Sequence, residues 1–168
     1  MTKQEALNLY NGLQNVSNLK GAKWAYAIAR NVEKLRPEVE ALRKAYTMSE
    51  EFADYEGKRL ELAQKYSVKE KNVPKTVKIG QTEEYLIADK DKFNQEVAKL
   101  QKKYNKAIVE RKKQLKDFNE ILGEKIEIDL YMIDSDYIPE EITSGQVSAI
   151  MPIIREKEDK VLTSPESN

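Results

Sequence analysis

Apolar residues recur along most of the chain at helical spacing. Thr2 stands three residues before Glu5, and Leu9, Leu13 and Val16 then share one face, which predicts a capped helix over about 3–16. Ser17-Asn18-Leu19-Lys20-Gly21 ends it, because Asn and Gly accept the left-handed backbone common at helix ends. A second helix is predicted over about 22–66. In it Ile28, Val32, Leu35, Val39, Leu42 and Tyr46 are spaced by 4, 3, 4, 3 and 4 residues, the seam of a coiled coil or a long antiparallel hairpin. The seam changes register at Ala45 and continues through Met48, Phe52, Tyr55, Arg59, Leu62 and Tyr66, as a local change of winding would allow. Pro37 lies inside the seam without interrupting its spacing, so a kink is expected there rather than a break.

The period then changes to two. Val73-Pro74-Lys75-Thr76-Val77-Lys78-Ile79 alternates as a strand does, Gly80-Gln81-Thr82 reads as a turn, and Tyr85, Leu86 and Ile87 supply a second strand. Strands over about 75–79 and 83–88 would form a β-hairpin with Pro74 at an edge or strand start. A third helix, about 89–122, aligns Phe93, Val97, Leu100, Tyr104, Ile108, Leu115, Phe118 and Leu122 on one stripe, with Arg111 at the remaining core position. As a rod it would be about 45 Å long. Paired antiparallel with the second helix, position 93 faces about 66 and 107 faces about 52, which brings Glu50, Glu51 and Asp54 toward Lys103, Lys106 and Arg111.

Residues 125–133 show the clearest alternation in the chain and predict a strand with one apolar face. It would begin a rod's length from the hairpin, so it must fold back, lie on helices one and two, or pair with a second subunit. Ile142, Thr143, Gln146 and Val147 form a capping box with a hydrophobic staple, predicting a short helix over about 143–151 that Pro152 ends. Residues 155–168 are charged and read as a disordered tail. The expected fold is therefore mainly α with a minor β element: a long antiparallel helical hairpin, coiled-coil-like, carrying a β-hairpin between its helices and a further C-terminal strand and short helix, all in one elongated domain over 1–154.

Composition narrows the chemistry. The 168 residues include no cysteine and no histidine, which removes the usual zinc ligands, the thiolate nucleophile and the proton shuttle of neutral pH. The six glycines stand far apart, so neither a phosphate-cradling loop nor a dinucleotide fingerprint can be assembled. A protein that is not an enzyme, with no cofactor and no metal, is the expectation. No stretch of about 18 apolar residues would cross a bilayer, and the first residues lack a signal peptide's apolar core, so an intracellular protein is expected.

Charge is balanced overall and uneven locally. Residues 125–168 carry 10 acidic and 4 basic groups, while 67–124 carry 14 basic and 10 acidic. Lys99, Lys102, Lys103, Lys106 and Lys113 form a possible basic interaction face, able in principle to bind a nucleic-acid backbone without reading sequence. The zero net charge argues against nucleic acid and for pairing of these lysines within the protein. Glu127, Asp129, Asp134, Asp136, Glu140 and Glu141 form a possible acidic docking surface, or protect an edge strand by their charge. Asp134-Ser135-Asp136 lacks the glycine and the closing glutamate of a calcium loop. Of the aromatics, Trp24 among Ala22, Ala25, Ala27 and Ala29 fits core packing between the first two helices, and Tyr26, Tyr131 and Tyr137 are the others that could face a ligand.

The leading helix, the turn Leu19-Lys20-Gly21-Ala22-Lys23 into Ala25-Tyr26-Ala27-Ile28-Ala29-Arg30-Asn31-Val32-Glu33-Lys34-Leu35, and the late strand followed by Ile150-Met151-Pro152-Ile153-Ile154 resemble a family of small uncharacterised proteins of tailed phages and prophages. The resemblance spans most of residues 5–154 and implies a phage origin and the cytoplasm of an infected or lysogenic host. It supplies no functional residues. Helix, β-hairpin and helix in that order are also similar to the topology of a prefoldin subunit, from which the first helix and the C-terminal strand and helix depart. The function expected on these grounds is a phage-encoded protein–protein interaction protein, an adaptor or accessory in virion assembly and possible homo-oligomer, whose partner is a phage structural protein or a host protein. Inhibition of a host defence system and sequence-independent nucleic-acid binding through the lysine face are the alternatives.

Overall fold

The structure, a computed structural model, describes residues 1–80 and 82–156. Gln81, in the expected turn, and residues 157–168 of the expected tail lie outside the described residues. In chain order the elements are α1 (Lys3–Val16), α2 (Ala22–Tyr46), α3 (Glu50–Lys65), β1 (Lys69–Glu70), β2 (Val73–Pro74), β3 (Thr76–Ile79), β4 (Thr82–Tyr85), α4 (Lys90–Lys103), α5 (Asn105–Gly123), β5 (Ile133–Asp134), α6 (Ser144–Ile150) and β6 (Ile154–Arg155). The protein is mainly α with a minor β element. It divides into two compact units where one elongated domain was expected: Met1–Ala45 with the described residues from Asn119 on, and Tyr46–Phe118.

In the first unit the capping box predicted at Thr2 and Glu5 is formed from both sides. Ala6, Leu9, Tyr10, Leu13 and Val16 of α1 pack with Trp24, Ala27, Ile28, Val32, Leu35 and Val39 of α2, and Ile133, Ile150 and Ile153 close the core. The first half of the apolar seam thus serves the contact with α1 rather than a long zipper with a third helix. Trp24 is buried here as its small neighbours suggested, and its Nε1 donates to the carbonyl of Val16, one of those a helix end leaves unpaired. Gly12 permits the approach of α6: a Cβ at this position would lie 2.8 Å from the carbonyl oxygen of Ala149. Thr143 and Gln146 cap α6 reciprocally, as predicted.

The strand expected over 125–133 is extended but has almost no sheet partner. Ile126, Ile128 and Leu130 turn toward the core, and Glu127, Asp129 and Tyr131 turn outward, so the alternation was read correctly. Its hydrogen bonds go elsewhere: Ile126 exchanges bonds with Met1, and Tyr131 with the side chain of Asn31. Of the three placements open to this segment, it takes the one against helices one and two. Only Ile133 and Asp134 enter a sheet, parallel to Ile154 and Arg155, which places Arg155 in β6 and outside the expected tail.

The continuous helix expected over 22–66 proves to be two, separated by Thr47-Met48-Ser49, while α2 passes through Pro37 unbroken. Ser49 caps α3 by accepting from the N–H of Phe52, and Glu50 and Glu51 lie at the positive end of that helix. The carbonyls of Tyr46 and Thr47 are taken by Arg111 and Gln114 at 2.6 and 2.8 Å. Arg111, the charged residue at a core position, is therefore buried for a reason: it satisfies a helix C-terminus and stacks over Tyr46. The helix expected over 89–122 is divided at Tyr104, whose φ of −103° and ψ of 19° leave the helical range. Tyr55 meets Tyr104 with ring centroids 6.0 Å apart, the pairing given by the antiparallel register. The β3–β4 hairpin forms as expected, and a second, shorter hairpin, β1–β2, precedes it around Lys71 and Asn72.

Candidate functional site

The first unit bears a cleft of about 450 Å3 built from three separate parts of the chain. Helix α2 starts immediately after Gly21, whose φ of +133° suits glycine. Its first turn therefore sends Trp24, Ala27 and Ile28 inward and leaves Lys23 and Tyr26 on the opposite face. The extended segment supplies Tyr131, Met132 and Asp134, the turn after β5 supplies Tyr137, and β6 supplies Arg155.

The extended segment and β6 are fixed from behind. Asn31, fully buried on α2, accepts from the backbone N–H of Tyr131 at 2.8 Å and donates to its carbonyl at 2.8 Å and to that of Ala27 at 3.0 Å. One side chain thus does for Tyr131 what a neighbouring strand would do. Ile133 and Ile153, both buried, anchor the parallel β5–β6 pair, and Arg155 Nε donates to Asp134 Oδ1 at 2.9 Å.

The side chains so held stand in the open. Tyr26, Tyr131 and Tyr137 are 55, 40 and 40% exposed and Met132 39%, so four large side chains are presented to solvent in one place. Tyr26 and Tyr131 meet edge to face, centroids 5.5 Å apart. Lys23 Nζ lies 4.0 Å from the centre of the Tyr137 ring and donates to its hydroxyl at 2.6 Å. That hydrogen bond raises the Lys23 pKa, which opposes any use of the amine as a nucleophile or base. The cleft offers ring faces, a thioether, two cations and one carboxylate, and its lining holds no activated nucleophile.

The acidic residues singled out in the sequence are dispersed. Glu127 and Asp129 sit on the outer face of the extended segment, where Lys34 holds the carboxyl of Asp129 below the usual carboxylate range by a hydrogen bond. Asp134 forms the cleft wall with Arg155, Asp136 lies in the following turn, and Glu140 and Glu141 are exposed in the loop before α6. Among the described residues no three carboxylates are placed to hold a metal ion. Of the lysines, Lys99 and Lys103 line a groove of the second unit, and Lys102, Lys106 and Lys113 are exposed outside it. Lys99 pairs with Glu96 and Lys106 with Glu110 in their own helices.

Tyr26, Tyr131 and Tyr137 were marked by their residue type. Lys23, Met132, Arg155 and the supporting Asn31 were not, although Asn31 shares the helical face of Ile28, Val32 and Leu35, and a polar group on an apolar stripe is a visible signal. No helix among the described residues is long and apolar enough to cross a membrane. No protein-family model, no curated protein and no solved structure matches this chain.

Proposed function

We propose that this protein is a non-enzymatic adaptor that binds another protein through the tyrosine cleft of its first unit, and that, given the phage origin its resemblance to proteins of tailed phages implies, this binding serves virion assembly. The observation that carries this is the cluster of Tyr26, Tyr131, Tyr137 and Met132, each more than a third exposed and each mounted on backbone that buried residues hold in place. Tyrosine, methionine and arginine are enriched in the centres of protein interfaces, where rigid rings bury much area for little lost entropy. Arg155, already oriented by Asp134, adds a planar donor at the rim.

The test is a comparison of captures from infected cells by the wild-type chain and by the Tyr26→Ala/Tyr131→Ala variant. Both rings are substantially exposed, so the variant should keep the wild-type far-UV circular dichroism. A phage protein retained by the wild type and lost by the variant is the expected result. Identical captures from both chains remove the cleft from the account.

A further inference from the structure

The second unit has an interaction surface of a different kind, whose assignment does not rest on the tyrosine cleft. Between α3 and α4 runs a groove of about 480 Å3. Leu62 and Leu100, both half-buried, lie in it, and Lys58, Lys65, Lys99 and Lys103 border it. The apolar stripe beneath is incompletely covered: no residue of α4 is buried, and Phe93, Val97 and Leu100 are each only half-buried. One neighbouring helix covers one flank of such a stripe and leaves the other for a further helix.

The bordering charges select the occupant. Lys58 and Lys65 stand one heptad apart on α3 with Leu62 between them, the arrangement of flank charges beside an apolar seam. Lys58 is bonded to Asp54 and to the Tyr104 hydroxyl, and Lys99 to Glu96, while Lys65 and Lys103 rest over the rings of Tyr66 and Tyr104 and feel the charges of Glu96 and Asp54, so the four lysines outnumber the carboxylates around the groove. A second copy applying the same groove would set lysine against lysine. A nucleic-acid backbone would gain nothing from the leucines. An acidic amphipathic helix satisfies both features, with apolar side chains on Leu62 and Leu100 and carboxylates beside the lysines.

We propose that the α3–α4 groove is a docking site for an acidic amphipathic helix of a partner protein. Three fluorescent probes test it by anisotropy with the full chain: a helical peptide with Leu at the seam and Glu at the flanks, the same peptide with Lys at the flanks, and a short DNA duplex. The Glu peptide is expected to bind, more weakly as salt rises, and to lose about tenfold or more in affinity to the Lys65→Glu/Lys103→Glu variant. The Lys65→Gln/Lys103→Gln variant, which adds no new charge, should lose less, and the Tyr26→Ala/Tyr131→Ala variant should bind the peptide as the wild type does. Failure of the Glu peptide to bind, undiminished binding by both lysine variants, or loss in the tyrosine variant alone overturns the assignment. Tighter binding of the DNA than of the Glu peptide overturns it in favour of nucleic acid.

Discussion

The residue on which the cleft most depends is one that never enters it. Asn31 places a donor and an acceptor opposite the backbone of Tyr131 and makes three hydrogen bonds from a fully buried position. Leucine there would preserve volume and remove every partner, leaving the N–H and C=O of Tyr131 unsatisfied in a partly buried site. Asn31→Leu should therefore cost about 1–3 kcal/mol in urea unfolding. It should also weaken the near-ultraviolet circular dichroism of the Tyr26–Tyr131 pair, because Tyr131 loses its anchor. Unchanged stability together with an unchanged aromatic signal would show that the clip has no role. The sequence made part of this legible. Residue type pointed to Tyr26, Tyr131 and Tyr137, but Lys23 and Arg155 gain their meaning only from partners 114 and 21 residues away, Tyr137 and Asp134, and no local pattern encodes such a pairing.

At the scale of elements, local chemistry proved a better guide than periodicity to where helices start, although the apolar period was the better guide through Pro37, which α2 crosses unbroken. Thr2 with Glu5 and Thr143 with Gln146 announced helix starts that the structure has. The same kind of signal stood at Ser49 before Glu50 and Glu51, yet the apolar spacing ran across it and predicted one helix instead of two. Spacing records which side chains face inward, and it cannot record that Arg111 and Gln114 supply donors for a helix end at Tyr46 and Thr47. The β1–β2 hairpin was illegible for a related reason. Its central residues, Lys71 and Asn72, have φ of 50° and 65°, and lysine gives no hint of a left-handed backbone. The turn needs positive φ at both positions, which Asn-Gly supplies best and a β-branched residue worst. Lys71→Asn/Asn72→Gly should slow amide exchange at Val73, corresponding to a local gain of about 1 kcal/mol, and Lys71→Val should accelerate it. Equal exchange in all three chains would mean that the turn is not strained at Lys71.

At the scale of the whole molecule, the two units differ in how their apolar residues are used. Fourteen buried side chains from α1, α2, α6 and the adjoining segments form the core of the first unit. In the second, the described residues that are buried are Tyr55, Ser67, Ala107 and Arg111, and the stripe from Phe93 to Phe118 is half-covered. Regions with little buried apolar surface open at lower free energy than well-packed ones, so the units should not be equally protected. The amides of α4 should exchange faster than those of α1 around Leu9 and Leu13, although both are helices of 14 residues. Trp24, the only tryptophan, is buried in the first core and so reports on that unit, whereas far-ultraviolet dichroism reports helices of both. In urea, the dichroism should begin to fall before the Trp24 emission shifts. Coincident transitions with equal exchange in α1 and α4 would mean that the chain unfolds as one cooperative body and that the open stripe of the second unit carries no local instability. If the transitions separate, adding the acidic helical peptide should bring them together, because a ligand that covers the exposed seam stabilises only the unit that binds it.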